Sequence, residues 1–399
     1  MIQLLVFAKK LYTSTGVTAK AGQDMSKLSI LEDIYIWIED GRIVELASTM
    51  PKSFVRFIEA DLVVPGFVDC HTHVPFYGFR ENDFLKRVGG ISYLQLHSSG
   101  GGLYETVEKV RRASEKDLVR FNLKILSHLL KKGVTTIECK SGYGLDRENE
   151  LKQLKVIHTL SKIVPQDIVA TFMGAHAIPK GVDEKDYVNL LIEMLNEVKQ
   201  YTGFVDIFCD RGAFDVEFAK MYLLKAVEKG FKVRMHADEL ESIGASKLAA
   251  ELGAISADHL LKIDDESIKA LSKAGTVAVL MPATSFHLNE NYAPARKLIE
   301  YNVPVALASD LNPGSSPTLE PSLVMHLAVR YLKMTPEEVL TAYTLNASYV
   351  LGLADKLGTL EIGKQADLVL YDEVDLLTLP YMVGLMPKAV VKRGQVFEN

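Results

Sequence analysis

Leu62-Val63-Val64-Pro65-Gly66-Phe67-Val68-Asp69-Cys70-His71-Thr72-His73 is an apolar run that ends in polar, imidazole-bearing residues. The chain repeats this pattern seven more times. Apolar runs recur at Val134 to Cys139, Ile168 to Met173, Phe204 to Cys209, Lys232 to Met235, Ala254 to Ala257, Thr276 to Met281 and Val303 to Ala308, each closing on polar residues. Between them lie stretches with helical periodicity near 105–132, 148–164, 184–200, 215–229, 242–252, 264–273, 294–301 and 320–332. Eight strand-then-helix units predict an α/β chain folded as a (β/α)8 barrel. A doubly wound open sheet is the alternative, but it does not need eight units and no GxGxxG follows any run.

Outward from the repeat, both ends of the chain read differently. Residues 1–61 contain alternating stretches such as Ile34-Tyr35-Ile36-Trp37-Ile38-Glu39, followed by Asp40-Gly41, a hairpin turn signature. The tail carries Gly358 to Lys364, Ala366 to Tyr371 and Ala389 to Val396, which read as short strands with turn residues between them. Neither end has enough strands for a sheet of its own. The expectation is a small β-sandwich domain assembled from residues 1–61 and 357–399, beside a barrel of residues 62–356. Thr335-Pro336-Glu337-Glu338 predicts the start of a further helix over 335–351.

Composition narrows the classes. With 399 residues, 48% hydrophobic and 24% charged, the chain is too apolar to be disordered. A formal net charge of -6 argues against a nucleic-acid binder, which needs a basic stripe. No apolar run reaches the ~18 residues of a transmembrane helix. Met1 to Lys10 lacks a basic segment ahead of its apolar residues, so no signal peptide is expected. Three scattered cysteines, Cys70, Cys139 and Cys209, make no disulfide framework and fit a reducing cytoplasm.

Barrel enzymes carry their chemistry at the C-terminal ends of the strands. Taken in order, those ends supply His71 and His73; Glu138, Lys140 and Tyr143; His176; Asp210 and Arg211; His236, Asp238 and Glu239; Asp258 and His259; Pro282 and Thr284; and Ser309, Asp310 and Asn312. Residues two apart on a strand share a face, so His71 and His73 converge. With His236 and Asp310 they make an N/O donor set for a divalent metal. Such an ion lowers the pKa of a bound water toward ~7, and a carboxylate or imidazole takes the proton. Glu239 and His259 are placed for that task, or for orienting the ligands by hydrogen bond. Lys140 as a carbamate bridging two metals is a minor alternative. His97, His128, His158 and His326 read as surface or packing residues, Asp69 as barrel packing, and His287 as a mouth residue that nothing positions.

The motifs converge on a family. Val64 to His73 resembles the metal motif of the amidohydrolase superfamily. Lys140-Ser141-Gly142-Tyr143-Gly144-Leu145, Gly174-Ala175-His176-Ala177, His236-Ala237-Asp238-Glu239, Ser256-Ala257-Asp258-His259-Leu260 and Asp310-Leu311-Asn312-Pro313-Gly314-Ser315-Ser316-Pro317 resemble its imidazolonepropionase branch, which acts in histidine degradation. The resemblance implies one Zn2+ or Fe3+ per subunit held by His71, His73, His236 and Asp310. It implies hydrolytic opening of 4-imidazolone-5-propanoate to N-formimidoyl-L-glutamate, with Glu239, His259, Asp310 and His176 as catalytic groups. Substrate contacts carry over to Arg80, Tyr143, His176, Glu239 and Ser315, and product contacts to Tyr143, Asn312 and Gly314. In physical terms Arg80 offers a planar fork to a propionate. His176 is expected to donate to the ring oxygen, and Asn312 and Gly314 to offer amide donors. Tyr93 and Gly100-Gly101-Gly102 read either as a lid after the first strand or, for the glycines, as a plain turn. Cys70, Ala283 and His287 depart from the family pattern without supplying a ligand. The expected partner is a small molecule, with no nucleic acid and no membrane, and the expected state a cytoplasmic homodimer. A cytosine- or guanine-type deaminase of the same superfamily shares the donor set but has no carboxylate for Arg80. An inactive barrel acting as a scaffold would show a missing ligand, and none is missing.

Overall fold

A computed structural model describes residues 2–90 and 102–399; Tyr93, His97, Gly100 and Gly101, part of the lid-or-turn stretch among them, lie outside the described residues. The chain opens with β1 (Ile2–Thr13), β2 (Ser29–Glu39), β3 (Arg42–Ala47) and β4 (Phe54–Pro65). β1 runs antiparallel to β2 and parallel to β4. Asp40 and Gly41 join β2 to β3 with φ of 47° and 72°, the left-handed pair that a two-residue hairpin needs.

The first apolar run is two strands rather than one. Leu62 to Pro65 complete β4, and the barrel begins after Gly66 with β5 (Phe67–Asp69). A Cβ at Gly66 would lie 2.2 Å from Thr135 Oγ1, so only glycine lets the chain pass from one sheet to the other here.

The barrel continues through β6 (Val134–Lys140), β7 (Asp167–Ala175), β8 (Phe204–Cys209), β9 (Lys232–Ala237), β10 (Ser256–His259), β11 (Val277–Leu280) and β12 (Val305–Leu307). All are parallel and neighbour one another in chain order. Several of the outer helices start on a side-chain cap. Ser114, Asp146, Asp183, Asp215 and Asp264 each accept a first-turn backbone N–H, and Thr335 forms a capping box with Glu338. Short helices Glu81–Val88 and Pro282–Leu288 sit in loops that the periodicity leaves unassigned. Among the described residues, no helix is long and apolar enough to cross a membrane.

β13 (Leu368–Tyr371), β14 (Ala389–Lys392) and β15 (Gln395–Glu398) return to the opening strands. The result is one seven-stranded sheet, separate from the barrel, ordered β15-β14-β13-β4-β1-β2-β3. Its two faces do different work. Val63, Leu368, Leu370 and Val391 pack with Leu4, Val6, Ile36 and Ile38 in the sheet's own core. The alternate residues Leu62, Val64, Val369 and Val390 face the barrel core.

Barrel closure positions the site. β5 and β12 meet just past their ends: Asp310 N donates to His71 O at 3.0 Å, His73 N to Leu311 O at 2.9 Å, and Ser309 N to Asp69 Oδ1 at 3.0 Å. The seam of the barrel is therefore made by residues of the expected donor set and their neighbours.

Candidate metal and active site at the barrel mouth

His71 and His73 lie beyond the end of β5, not on it, yet both rings turn inward, with centroids 5.5 Å apart. His236 is on β9, two residues after Arg234, and its ring lies 4.4 Å from that of His71 and 5.3 Å from that of His73. Donor atoms of His71, His73 and His236 all fall within 4.8 Å of one another, as do those of His71, His259 and Asp310. Asp310 Oδ1 is 3.3 Å from His73 Nε2 and 3.7 Å from His71 Nε2. Asp310 and His259 hold φ of 52° and 80°, a left-handed conformation that these residue types tolerate better than most.

Carboxylates behind the imidazoles fix which nitrogen faces the cluster. His71 Nδ1 meets Asp258 Oδ2 at 2.6 Å and His236 Nδ1 meets Asp206 Oδ1 at 3.2 Å. A carboxylate accepts, so each Nδ1 carries the proton and each Nε2 presents a lone pair. Thr284 Oγ1 donates to Asp310 Oδ2 at 2.7 Å, leaving Oδ1 toward the cluster.

Below this layer the barrel interior is charged. Lys140 Nζ sits 2.7 Å from Glu138 Oε1 and 3.0 Å from Asp206 Oδ2. Arg234 reaches Glu138 at 3.2 Å and Asp258 at 2.8 Å. All five side chains are fully buried, and each charge faces an opposite one. Burial opposes ionisation of Asp206, but His236, Lys140 and Arg234 outweigh it and hold its carboxyl well below the ordinary range. Lys140 is thus committed as an ammonium between two carboxylates, which disfavours the carbamate alternative. Asp206 and Arg234 are not among the expected site residues. The available signal was a charge inside an apolar run that reads as a strand buried on both faces.

A small cavity of about 40 Å³ opens on the cluster, lined by His73, Leu103, Tyr143, His176, Phe208, His236, Glu239, His259, Asp310, Asn312 and Ser315. Tyr143 lies with its ring 5.2 Å from that of His176, which stacks on His73 at 4.7 Å. Glu239, 13% exposed, places Oε1 3.7 Å from His259 Nδ1. Burial pushes the Glu239 carboxyl well above the usual range, and the charges of Asp310 and Asp210 add to this. Burial also depresses His259, to about 3, so its imidazole is neutral near pH 7.

Three expected contacts take a different form. His176 Nδ1 donates to Gly142 O at 3.0 Å, and burial holds the ring well below its ordinary pKa. Neutral His176 then offers Nε2 as an acceptor, not as the expected donor to an oxyanion. Asn312 spends its side chain on its own turn: Oδ1 accepts from Gly314 N at 2.9 Å and Ser315 N at 2.7 Å, and Nδ2 donates to Asp310 O and Ser315 Oγ, each at 2.8 Å. The amide donors expected of Asn312 and Gly314 are therefore engaged within the loop. Arg80 does not line the cavity. It is 6% exposed, donates to Thr106 Oγ1 at 2.7 Å, lies 3.5 Å from Asp83, and rests against Gly314 on the outer side of that turn. His287, half-buried, stacks on Phe84 at 5.2 Å and lines the apolar cavity beyond Arg80.

The amidohydrolase family model matches residues 62–396. Imidazolonepropionase of Kosmotoga olearia is 46% identical over 385 residues, covering 96% of this chain and 95% of that protein. Imidazolonepropionase of Caldanaerobacter subterraneus is also 46% identical, over 391 residues, with 96% and 94% covered. The chain belongs to the amidohydrolase family, in its imidazolonepropionase branch. Solved amidohydrolase-type barrels agree in fold: a triazine hydrolase variant superposes with a TM-score of 0.76 at 15% identity over 99% of this chain and 94% of that one. An E. coli guanine deaminase gives 0.75 at 16% over 99% of each chain.

Amidohydrolases imply a divalent ion, and the donor chemistry of this branch member fits one. His71 Nε2 and Asp310 Oδ1 are buried without a hydrogen-bond partner among the described residues, while His73 Nε2 and His236 Nε2 sit 3.3 Å apart. A buried, inward-facing set of lone pairs is costly unless a cation binds it.

Proposed function

We propose that this chain is an imidazolonepropionase: it adds water across the ring amide of 4-imidazolone-5-propanoate and releases N-formimidoyl-L-glutamate. The observation that carries the reading is 46% identity to imidazolonepropionases over 96% of the chain. The ligand cluster alone serves a deaminase equally well.

His71, His73, His236 and Asp310 are the groups that would hold one Zn2+ or Fe3+, and both ions suit a three-imidazole, one-carboxylate set. When bound, the ion acidifies a water and polarises the ring carbonyl. Glu239, a stronger base for its burial, takes a proton from the attacking water, and His259, held neutral by burial, stands beside it to orient that water by hydrogen bond. The water oxygen joins the carbonyl carbon, the ring C–N bond breaks, and Glu239, His259 or Asp310 returns a proton to the leaving nitrogen. His176 Nε2 accepts a ring N–H and orients the heterocycle, and Tyr143 packs beside it. Arg80 serves the propionate through the turn at Asn312, Gly314 and Ser315, which it supports from behind. In this reading residues 1–65 with 357–399 form a composite β-domain, four residues longer at its first segment than the expected 1–61 because β4 runs to Pro65, and it braces a barrel of residues 66–356. The protein works as a cytoplasmic homodimer on a free small molecule, with a net charge of -6 that does not favour nucleic acid.

The test is turnover by protein stripped of metal and then reloaded with Zn2+ or Fe3+, following N-formimidoyl-L-glutamate. Activity that is lost on stripping and restored on loading is expected. Ammonia release from cytosine or guanine, with no opening of the imidazolone, would replace this reading with the deaminase.

A further inference from the structure

We infer that Asp210 is a positioning residue that holds the Glu239 backbone in place for proton transfer. This rests on the role proposed above for Glu239. Asp210 follows β8 and is 2% exposed. Its carboxylate gathers four backbone amides. Oδ2 accepts from Glu239 N at 2.8 Å and Leu240 N at 2.9 Å. Oδ1 accepts from Glu241 N at 3.1 Å and from its own neighbour Arg211 N at 2.7 Å.

Three of those donors are consecutive. The ladder of β9 stops at Ala237, and Asp238 then turns with φ of 50°. From Glu239 to Glu241 the hydrogen bonds that hold the backbone come from Asp210. One carboxylate on the neighbouring strand end thus replaces the sheet at the point where the chain leaves it, and aims Glu239 at His259 and the cavity. A carboxylate accepts four such bonds through two oxygens. An asparagine oxygen accepts one pair, and its amide nitrogen confronts the other pair donor to donor.

The experiment is a double-mutant cycle on metal-loaded enzyme with 4-imidazolone-5-propanoate: parent, Asp210→Asn, Glu239→Gln and the double variant. Asp210→Asn is expected to lower kcat by about 10–100-fold with bound metal unchanged. In the Glu239→Gln background it is expected to cost no more than about twofold, because the group it positions is already gone. Losses that multiply in full would overturn the inference and leave Asp210 a structural residue. A fully active Glu239→Gln would overturn it too, and would locate the error in the role given to Glu239. Hydrogen exchange of the parent enzyme provides an arm independent of substrate and of whether variants fold. Slow exchange at the Glu239 and Leu240 amides supports the carboxylate clamp, and exchange at the rate of an open loop would overturn it.

Discussion

At the residue scale, the site depends on which atoms are left unspent. His71 and His236 are both turned Nε2-inward because Asp258 and Asp206 take the other nitrogen. The repeat places such rings at the strand ends, but the partner of each Nδ1 comes from another strand and is invisible locally. Gly314 is a second case. A Cβ there would lie 1.7 Å from Arg80 Nη2 and 2.2 Å from its Cζ, so the absence of a side chain is what lets the guanidinium support the Asn312–Ser316 turn. Gly314→Ala is therefore expected to push Arg80 aside and lower kcat/KM for the imidazolone roughly 10–100-fold, chiefly through KM. Adding it to Arg80→Ala should cost little more. Steady-state kinetics of the two single variants and the double variant check this, and a Gly314→Ala enzyme indistinguishable from the parent would refute it.

At the element scale, the loop after β6 shows how a helix start can shape a site. Glu150, in the first turn of the helix Arg147–Ile163, accepts from Gly144 N at 2.8 Å and Leu145 N at 2.9 Å through one oxygen. Gln153, one turn later, accepts from Tyr143 N at 2.9 Å. The loop that presents Tyr143 is thus hung on one face of the next helix. A Cβ at Gly144 would come within 2.3 Å of Glu150 N, a backbone atom that cannot swing away. Gly144→Ala is expected to destabilise the protein by about 2 kcal/mol, the range of other overpacked sites. Denaturant unfolding measures it, and a midpoint equal to the parent's would rule the clash out. Barrel strands and outer helices were legible because apolar runs and helical periodicity are local signals. The split of the first run at Gly66 was not, because Pro65 and Phe67 are equally apolar and only their partners differ.

For the whole molecule, the terminal sheet and the barrel are fastened at a buried ion cluster. Lys392, 1% exposed on β14, places Nζ 2.6 Å from Asp167 at the start of β7 and 2.7 Å from Asp367. Gln365 donates to both carboxylates at 2.7 Å. Breaking such a group by removing one member leaves buried charge uncompensated. Lys392→Met is expected to lower stability by about 3 kcal/mol and to speed amide exchange in β13 and β14 ahead of the barrel strands. Unfolding curves and site-resolved exchange together check it; an unchanged midpoint would show that apolar packing alone holds the sheet in place.

The amino-acid sequence by itself determined the eight-unit repeat, the pooling of both chain ends into strands, and the ligand types at the strand ends, because periodicity and residue chemistry are properties of short segments. Only the tertiary structure decided that β5 and β12 close the barrel through His71, His73, Asp310 and Leu311, that Lys140 is an ion-paired ammonium, and that Arg80, His176 and Asn312 point their polar atoms where they do. Those outcomes turn on hydrogen bonds between residues far apart in the chain. A side chain's chemistry is written locally, but which of its lone pairs and protons remain available is set by whatever the fold packs against it.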